Sequence, residues 1–257
     1  MAKVIEPSAA EKTLDLREMT DARVSLGRHG AGLPTRAQLS FLLDHARARE
    51  AVWTSVDRGL LTDRLNRLGL SVVKVDSMAT DRSIYVRRPD LGRMLSVESA
   101  ERLKQAGSAK GYDVAIVVAD GLSSSAVDLN AVPLIEALMP KLAAFNLSTA
   151  PIVLASQARV ALGDPTGEAL GTRLTIVLVG ERPGLSAADS LGAYITYGPK
   201  SGNPDSGRNC VSNIRDGGLP IREAAEIIAA LVKDMVKTRV SGVALKAALA
   251  KLPSSNV

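Results

Sequence analysis

Val114-Ala115-Ile116-Val117-Val118-Ala119-Asp120-Gly121 decides how this chain is to be read. The apolar residues follow one another without alternation and stop at Asp-Gly. A strand with one face in water alternates apolar and polar residues; a continuous run points to a strand buried on both faces, inside a parallel sheet covered by helices. Downstream, a helical stretch from Ala126 to about Ala144 returns the chain to a second apolar run, Ile152-Val153-Leu154. A short helix near Gly167 to Leu170 precedes Leu174-Thr175-Ile176-Val177-Leu178-Val179, the strongest strand signal in the chain. Gly180-Glu181-Arg182-Pro183-Gly184 breaks that strand sharply, and Tyr194 to Tyr197 is a fourth candidate. Ala224, Ile227, Ile228, Leu231, Val232 and Met235 then recur at helical spacing. Strands and helices in alternation predict an α/β fold, a doubly wound and mostly parallel sheet over roughly residues 108–240.

Upstream the pattern is different. Residues 1–20, with Pro7 among small residues, read as a loosely ordered arm. Gly27, Gly30, Gly32 and Pro34 mark a loop, with Thr35 expected to cap the helix that carries Leu39, Leu42, Leu43 and Ala46 on one stripe. Val72 to Val75 and Ile84 to Val86 are β-prone pieces around a polar turn, Asp76 to Asp81, and a helix is expected from Val97 to about Gln105. Residues 21–107 therefore read as a helical N-terminal portion, and 108–257 as the main domain.

Composition narrows the function classes. With 46% apolar residues in 257, the chain can bury a sizeable core. At 3% aromatic it offers few stacking platforms for single-stranded nucleic acid. The net charge is +5, and all of that excess falls within residues 1–110, where acids interleave with the bases. A solvated basic surface explains this better than a nucleic-acid or anionic-membrane patch, which would concentrate cations. The apolar runs are strand-length and Met1 to Thr20 has no apolar signal core, so neither a membrane span nor a secretory leader is expected. One cysteine, Cys210, excludes an internal disulfide and suits a reducing cytoplasm.

In an open parallel sheet, ligands sit beyond the carboxyl ends of the strands. Three segments qualify: Asp120 to Ser125, Gly180 to Ser186, and Arg208 to Asn213, read here as a loop. Ordinary turns use the same residue types, so pattern alone does not mark a site. No dinucleotide fingerprint, P-loop, HExxH or Gly-x-Ser-x-Gly is present. Two histidines, His29 and His45, with one cysteine do not make a usual zinc shell; each histidine reads as a surface or helix-packing residue. A chain without its own acid–base or metal constellation leaves the chemistry to a cofactor or a partner.

Several blocks, in register, resemble one family. Ala22 to Arg28 with Thr35-Arg36-Ala37, Phe41 to Arg47, Arg87 to Arg93 and Asp120-Gly121-Leu122-Ser123 are followed by Gly167-Glu168 and Leu170-Gly171. Val179 to Leu185, Asp189-Ser190-Leu191, Cys210 to Ile214 and Glu223-Ala224-Ala225 complete the set. Together they cover roughly residues 20–240 and resemble the small subunit of ethanolamine ammonia-lyase. The resemblance implies a Rossmann-like, cobalamin-binding domain over 108–257 that holds adenosylcobalamin at the interface with a large, barrel-type subunit. Carried over by position, the cofactor contacts are Val160, Glu181 and Cys210. It implies no catalytic residue on this chain. The partner binds ethanolamine, and a radical begun by cobalt–carbon homolysis ends in acetaldehyde and ammonia.

The cobalamin keeps its own dimethylbenzimidazole ligand (base-on) in this family. The sequence agrees, since the DxHxxG signature of histidine-ligated cobalamin proteins is broken at Gly27 before His29-Gly30-Ala31-Gly32. Two departures stand out. Pro165 and Thr166 precede Gly167-Glu168 where the family shows a hydrophobic residue, and the N-terminal arm is shorter than in members packaged into a bacterial microcompartment. The cytoplasm is the expected location, with a microcompartment as the open alternative. The rival reading is a cobalamin-independent α/β nucleotide-binding or interaction protein.

Overall fold

The apolar run at 114–119 lies inside a six-stranded sheet, and every one of those side chains is buried. The structure is a computed structural model; it describes residues 15–20, 22–107 and 111–251. Most of the arm expected over 1–20 lies outside the described residues. In chain order the elements are α1 (Thr35–Trp53), α2 (Arg58–Arg67), β1 (Val72–Asp76), α3 (Arg82–Arg87), α4 (Val97–Ala106), β2 (Tyr112–Ala119), α5 (Ser124–Ala144) and β3 (Ile152–Ser156). They continue as α6 (Gly163–Leu170), β4 (Thr172–Gly180), β5 (Leu191–Tyr197), β6 (Arg208–Ile214), α7 (Ile221–Thr238) and α8 (Ala244–Ala250).

The sheet order is β1-β3-β2-β4-β5-β6. β1, β3, β2 and β4 are parallel neighbours, whereas β5 pairs antiparallel with both β4 and β6. The α/β class expected from the alternation holds, and the sheet is mixed, with two antiparallel pairings beside the parallel ones. Residues 181–190, between β4 and β5, are too few for a parallel crossover, which needs about a dozen or more. β5 therefore turns back beside β4.

Alternate residues of the central strands point to opposite cores. Val114, Ile116 and Val118 with Leu174, Ile176 and Leu178 pack under α2, α5, α7 and α8. Ala115, Val117, Ala119, Val177 and Val179 pack under α4 and α6, through Leu103, Leu162 and Leu170. Burying a Val, Leu or Ile side chain stabilises by roughly 1.5–3 kcal/mol, so a double-faced strand of this kind anchors the whole fold. α7 shows why its stripe forms a helix: Ala224, Ile228, Val232 and Met235 are buried on one face, with Ile227 at its exposed margin.

Four local expectations are corrected. Ile84 to Val86 is helical, not extended: Asp81 caps α3 by accepting from the Ile84 N–H at 2.9 Å, and Tyr85 goes into the core. Arg208 to Asn213 is part of strand β6, not a loop, because Val211 and Ile214 reach the core under α7 while the residues between them face out. Thr35 is the first residue of α1; Pro34 takes the cap position, and no side chain among the described residues caps the helix. The stripe Leu39, Leu42 and Leu43 stays half or more exposed, and Ala51 is the one buried residue of α1. That helix touches the body near its C-terminal end, where Ser124 donates to the Ala51 carbonyl.

A glycine seam closes the tip between β2 and β4. A Cβ on Gly180 would sit 2.0 Å from the Ser123 carbonyl oxygen, and one on Gly121 would sit 2.1 Å from that of Gly180. The Leu122 N–H donates to Gly180 at 2.8 Å across this contact. Ser123 beside it caps α5 from the Ala126 N–H and donates to the Ala188 carbonyl at 2.6 Å. Gly180→Ala is expected to destabilise the chain by about 2–3 kcal/mol, since backbone on both sides must move. Gly207→Ala, where a Cβ meets nothing within 4 Å, is the control and should stay within about 0.5 kcal/mol. Thermal unfolding of the two variants checks this; equal midpoints would mean the seam is not tight.

Candidate functional site

The site lies where the helices leave part of the sheet uncovered. α4 and α6 roof β1, β3, β2 and β4, but no buried residue of β6 belongs to the core on that side. Tyr194 of β5 and Cys210 of β6 are cross-strand partners, so their side chains share that face. Val160, in the turn at 160–162 that leads into α6, faces them across a cleft of about 350 Å³. Arg93, Arg159 and Arg208 also line it. Past Ala161 and Asp205 the cleft adjoins a larger groove of about 860 Å³ between α4, α6 and residues 201–205.

Two of the three residues singled out in the sequence, Val160 and Cys210, thus line one cleft. Glu181 stands next to it, at the tip of β4. Its carboxylate accepts from the Ser190 hydroxyl at 2.5 Å, the Ser212 hydroxyl at 2.6 Å and the Asn213 N–H at 3.3 Å. Gly192 makes this possible: a Cβ there would lie 2.9 Å from Glu181 Oε1 and 3.1 Å from Tyr194 Cε2. Glu181 and Tyr194 fold together over that bare backbone. Glu181 is therefore a held, half-buried carboxylate, neither a solvated loop acid nor a partner of Arg182.

The rim is rigid on the Arg159 side. Asp120, buried at the end of β2, accepts from the Gln157 and Ala158 N–H groups, each at 2.9 Å, and pins the loop after β3. Burial pushes the Asp120 carboxyl up, and those two N–H groups with Arg82 at 3.5 Å pull against it. The Tyr85 ring carries two guanidiniums, Arg82 at 4.7 Å and Arg159 at 4.2 Å. Its hydroxyl donates to the Ala158 carbonyl at 3.1 Å, and its own carbonyl accepts from Arg159 Nη2 at 3.1 Å. Burial first, then Asp120, pushes the Tyr85 phenol above its usual range. Arg208 is committed elsewhere: it grips the buried Asp164 of α6 through two contacts of 2.7 Å and also meets Asp205 at 3.3 Å. That pair fastens β6 to α6 and sets the width of the cleft.

Sequence reading missed Tyr194 as a floor residue and Ser190 and Ser212 as the holders of Glu181. In the sequence Tyr194 stands only as a strand position, and its partner Cys210 falls in a segment that reads as a loop. The alternation of Cys210, Val211 and Ser212 was the available signal.

Cys210 is exposed, yet its thiol is pushed up, first by partial burial of the sulfur and then by the Glu181 charge, against a hydrogen bond from Tyr194. A raised pKa leaves less thiolate at neutral pH, and thiolate is the reactive form. Alkylation by iodoacetamide should therefore be slow at neutral pH and climb only above the ordinary thiol range. Glu181→Gln should move the rate profile to lower pH. A profile that does not move would show that the carboxylate does not reach the thiol.

The chain matches the family described as ethanolamine ammonia-lyase light chain over residues 10–246. It is 53% identical over 235 residues to an ethanolamine ammonia-lyase small subunit of Bradyrhizobium diazoefficiens, covering 91% of this chain and 90% of that one. Proteins of the same description from Rhodopseudomonas palustris (50% identity; 90% and 88% covered) and Azotobacter vinelandii (48%; 93% and 90%) align similarly. No helix among the described residues is long and apolar enough to cross a membrane. This chain belongs to the ethanolamine ammonia-lyase light-chain family.

Proposed function

We propose that this protein is the small subunit of a hetero-oligomeric, adenosylcobalamin-dependent ethanolamine ammonia-lyase, and that its uncovered sheet face is half of a berth for the base-on corrin. The observation that carries this is the open strip of Tyr194 and Cys210 faced by Val160, with Glu181 held at one end. A corrin is broad, flat and apolar in its ring, with amide arms around its edge. Such a ligand suits a bare sheet face with an apolar wall at Val160 and an aromatic floor at Tyr194. The Arg159 Nε is buried without a partner among the described residues, which also fits a site completed by something bound.

On this reading each residue has a definite task. Val160 packs against the ring, and Tyr194 and Cys210 support its edge. Glu181, kept in place by Ser190 and Ser212, accepts hydrogen bonds from the amide arms and fixes their orientation. The Rossmann-like sheet acts as a rigid platform, with the glycine seam setting the position of Glu181. When bound, adenosylcobalamin supplies the radical chemistry, by cobalt–carbon homolysis, that converts ethanolamine to acetaldehyde and ammonia. This chain holds no residue to which we assign a role on substrate; ethanolamine is bound by the large subunit, which also closes the berth against water. The exposed Leu39, Leu42 and Leu43 of α1 support a partner chain, because an apolar stripe of that kind is normally covered. We place the assembly in the cytoplasm, which suits a lone unpaired cysteine.

Co-expression with the large subunit and spectral titration of the complex with a cobalamin tests the proposal. The wild-type complex should bind and produce acetaldehyde from ethanolamine, while this chain alone should not. Glu181→Arg reverses the charge and fills space, and should weaken cobalamin binding by about tenfold or more. A wild-type complex without a spectral change would return the chain to the class of cobalamin-independent α/β proteins. A Glu181→Arg complex that binds unchanged would remove Glu181 from the site.

A further inference from the structure

Among the groups lining the cleft, the charge is divided unequally. Arg208 is neutralised by Asp164 and Asp205, so the guanidiniums of Arg93 and Arg159 stand as the cationic end of the cleft. Glu181 stands next to the cleft, an acid beside Tyr194 and Cys210.

Arg159 is built into its place more firmly than a surface cation needs to be. Its guanidinium stacks on Tyr85 at 4.2 Å, its Nη2 is spent on the Tyr85 carbonyl, and its backbone N–H donates to the Gly92 carbonyl at 2.8 Å. A Cβ on Gly92 would lie 2.9 Å from Arg159 Cγ and 3.0 Å from Tyr85 Cε2, so glycine at 92 is what lets the side chain lie flat there. Nε remains buried with no acceptor among the described residues, which is costly unless something accepts from that guanidinium edge. No carboxylate among the described residues is in ion-pair range of Arg159, and its forked, rigid donor set matches a phosphate. Arg93, exposed on the same rim one residue beyond Gly92, adds a second guanidinium.

We infer that Arg159 and Arg93 form an anchor for a phosphodiester, and, resting on the reading above, that the group they hold is the phosphate of cobalamin's nucleotide loop. The corrin ring then lies towards Tyr194 and Cys210, with its amide arms at Glu181. The two arginines and Glu181 together set which way round the cofactor lies.

Cobinamide, a corrinoid that lacks the nucleotide loop and its phosphate, separates this inference from the broader proposal. The complex with the large subunit is titrated spectrally with hydroxocobalamin and with dicyanocobinamide, as wild type and as Arg159→Gln and Arg93→Gln. Both variants should lose about tenfold or more in cobalamin affinity, one charge-assisted contact each, and change cobinamide affinity by less than about twofold. Cobalamin binding to the wild type should weaken with added salt, while cobinamide binding should not. Arg93 is exposed, so Arg93→Gln keeps the test valid if Arg159→Gln disturbs the Tyr85 packing. Equal losses for both corrinoids, or no loss for either, overturn the phosphate anchor while leaving a corrin site. Failure of the wild-type complex to bind either corrinoid overturns the proposed function itself.

Discussion

The contact on which the rest of the structure depends is the approach of backbone to backbone at Gly121 and Gly180. Four strands of this sheet are parallel, and their carboxyl ends meet at one edge. Two neighbouring tips can share that edge only if nothing projects between them. Gly121, at φ +57°, turns the chain back over Gly180, and the Leu122 N–H closes the contact. The consequence reaches in both directions: α5 starts correctly because Ser123 is in place to cap it, and Glu181 is aimed at the open face because Gly180 ends its strand there. A methyl group at either position would move the cap, the strand tip and the candidate site together.

A second layer of constraint surrounds the cleft. The buried Asp120, the Tyr85 ring between two guanidiniums, and the Asp164–Arg208 pair each tie a different element to the rim. Buried charges are expensive unless paired, so the stability they add over an apolar alternative is small. Their effect lies in geometry. Asp120 fixes the loop after β3, Tyr85 fixes Arg159, and Arg208 fixes the separation of β6 from α6. The rim is thus held by polar groups on three sides, over a floor that no helix among the described residues covers.

The chain offers a rigid floor, a held carboxylate and placed cations, the features that the proposed berth uses. The exposed stripe of α1 belongs to the same picture, since helix faces of that kind are finished by contact with another chain.

Local periodicity by itself determined the α/β class, the identity of the buried strands β2, β3 and β4, and the buried face of α7, because those signals need only a few neighbouring residues and the hydrophobic effect. Val160 was legible only through resemblance, whereas Glu181 also lay in a segment that strand position pointed to, in both cases without a geometry. What the tertiary structure decided is everything that depends on partners distant in sequence. β5 reverses because ten residues cannot carry a crossover, and that reversal brings Tyr194 beside Cys210. The helix at Arg82–Arg87 overrides the β preference of Ile84 and Val86 because Asp81 caps it and Tyr85 finds the core. Arg159 becomes a fixed donor only because Gly92, far away along the chain, leaves room for it. Side-chain type and spacing are local properties, whereas a cleft is made where separate segments meet, and the distances that define it exist only once the sheet is formed.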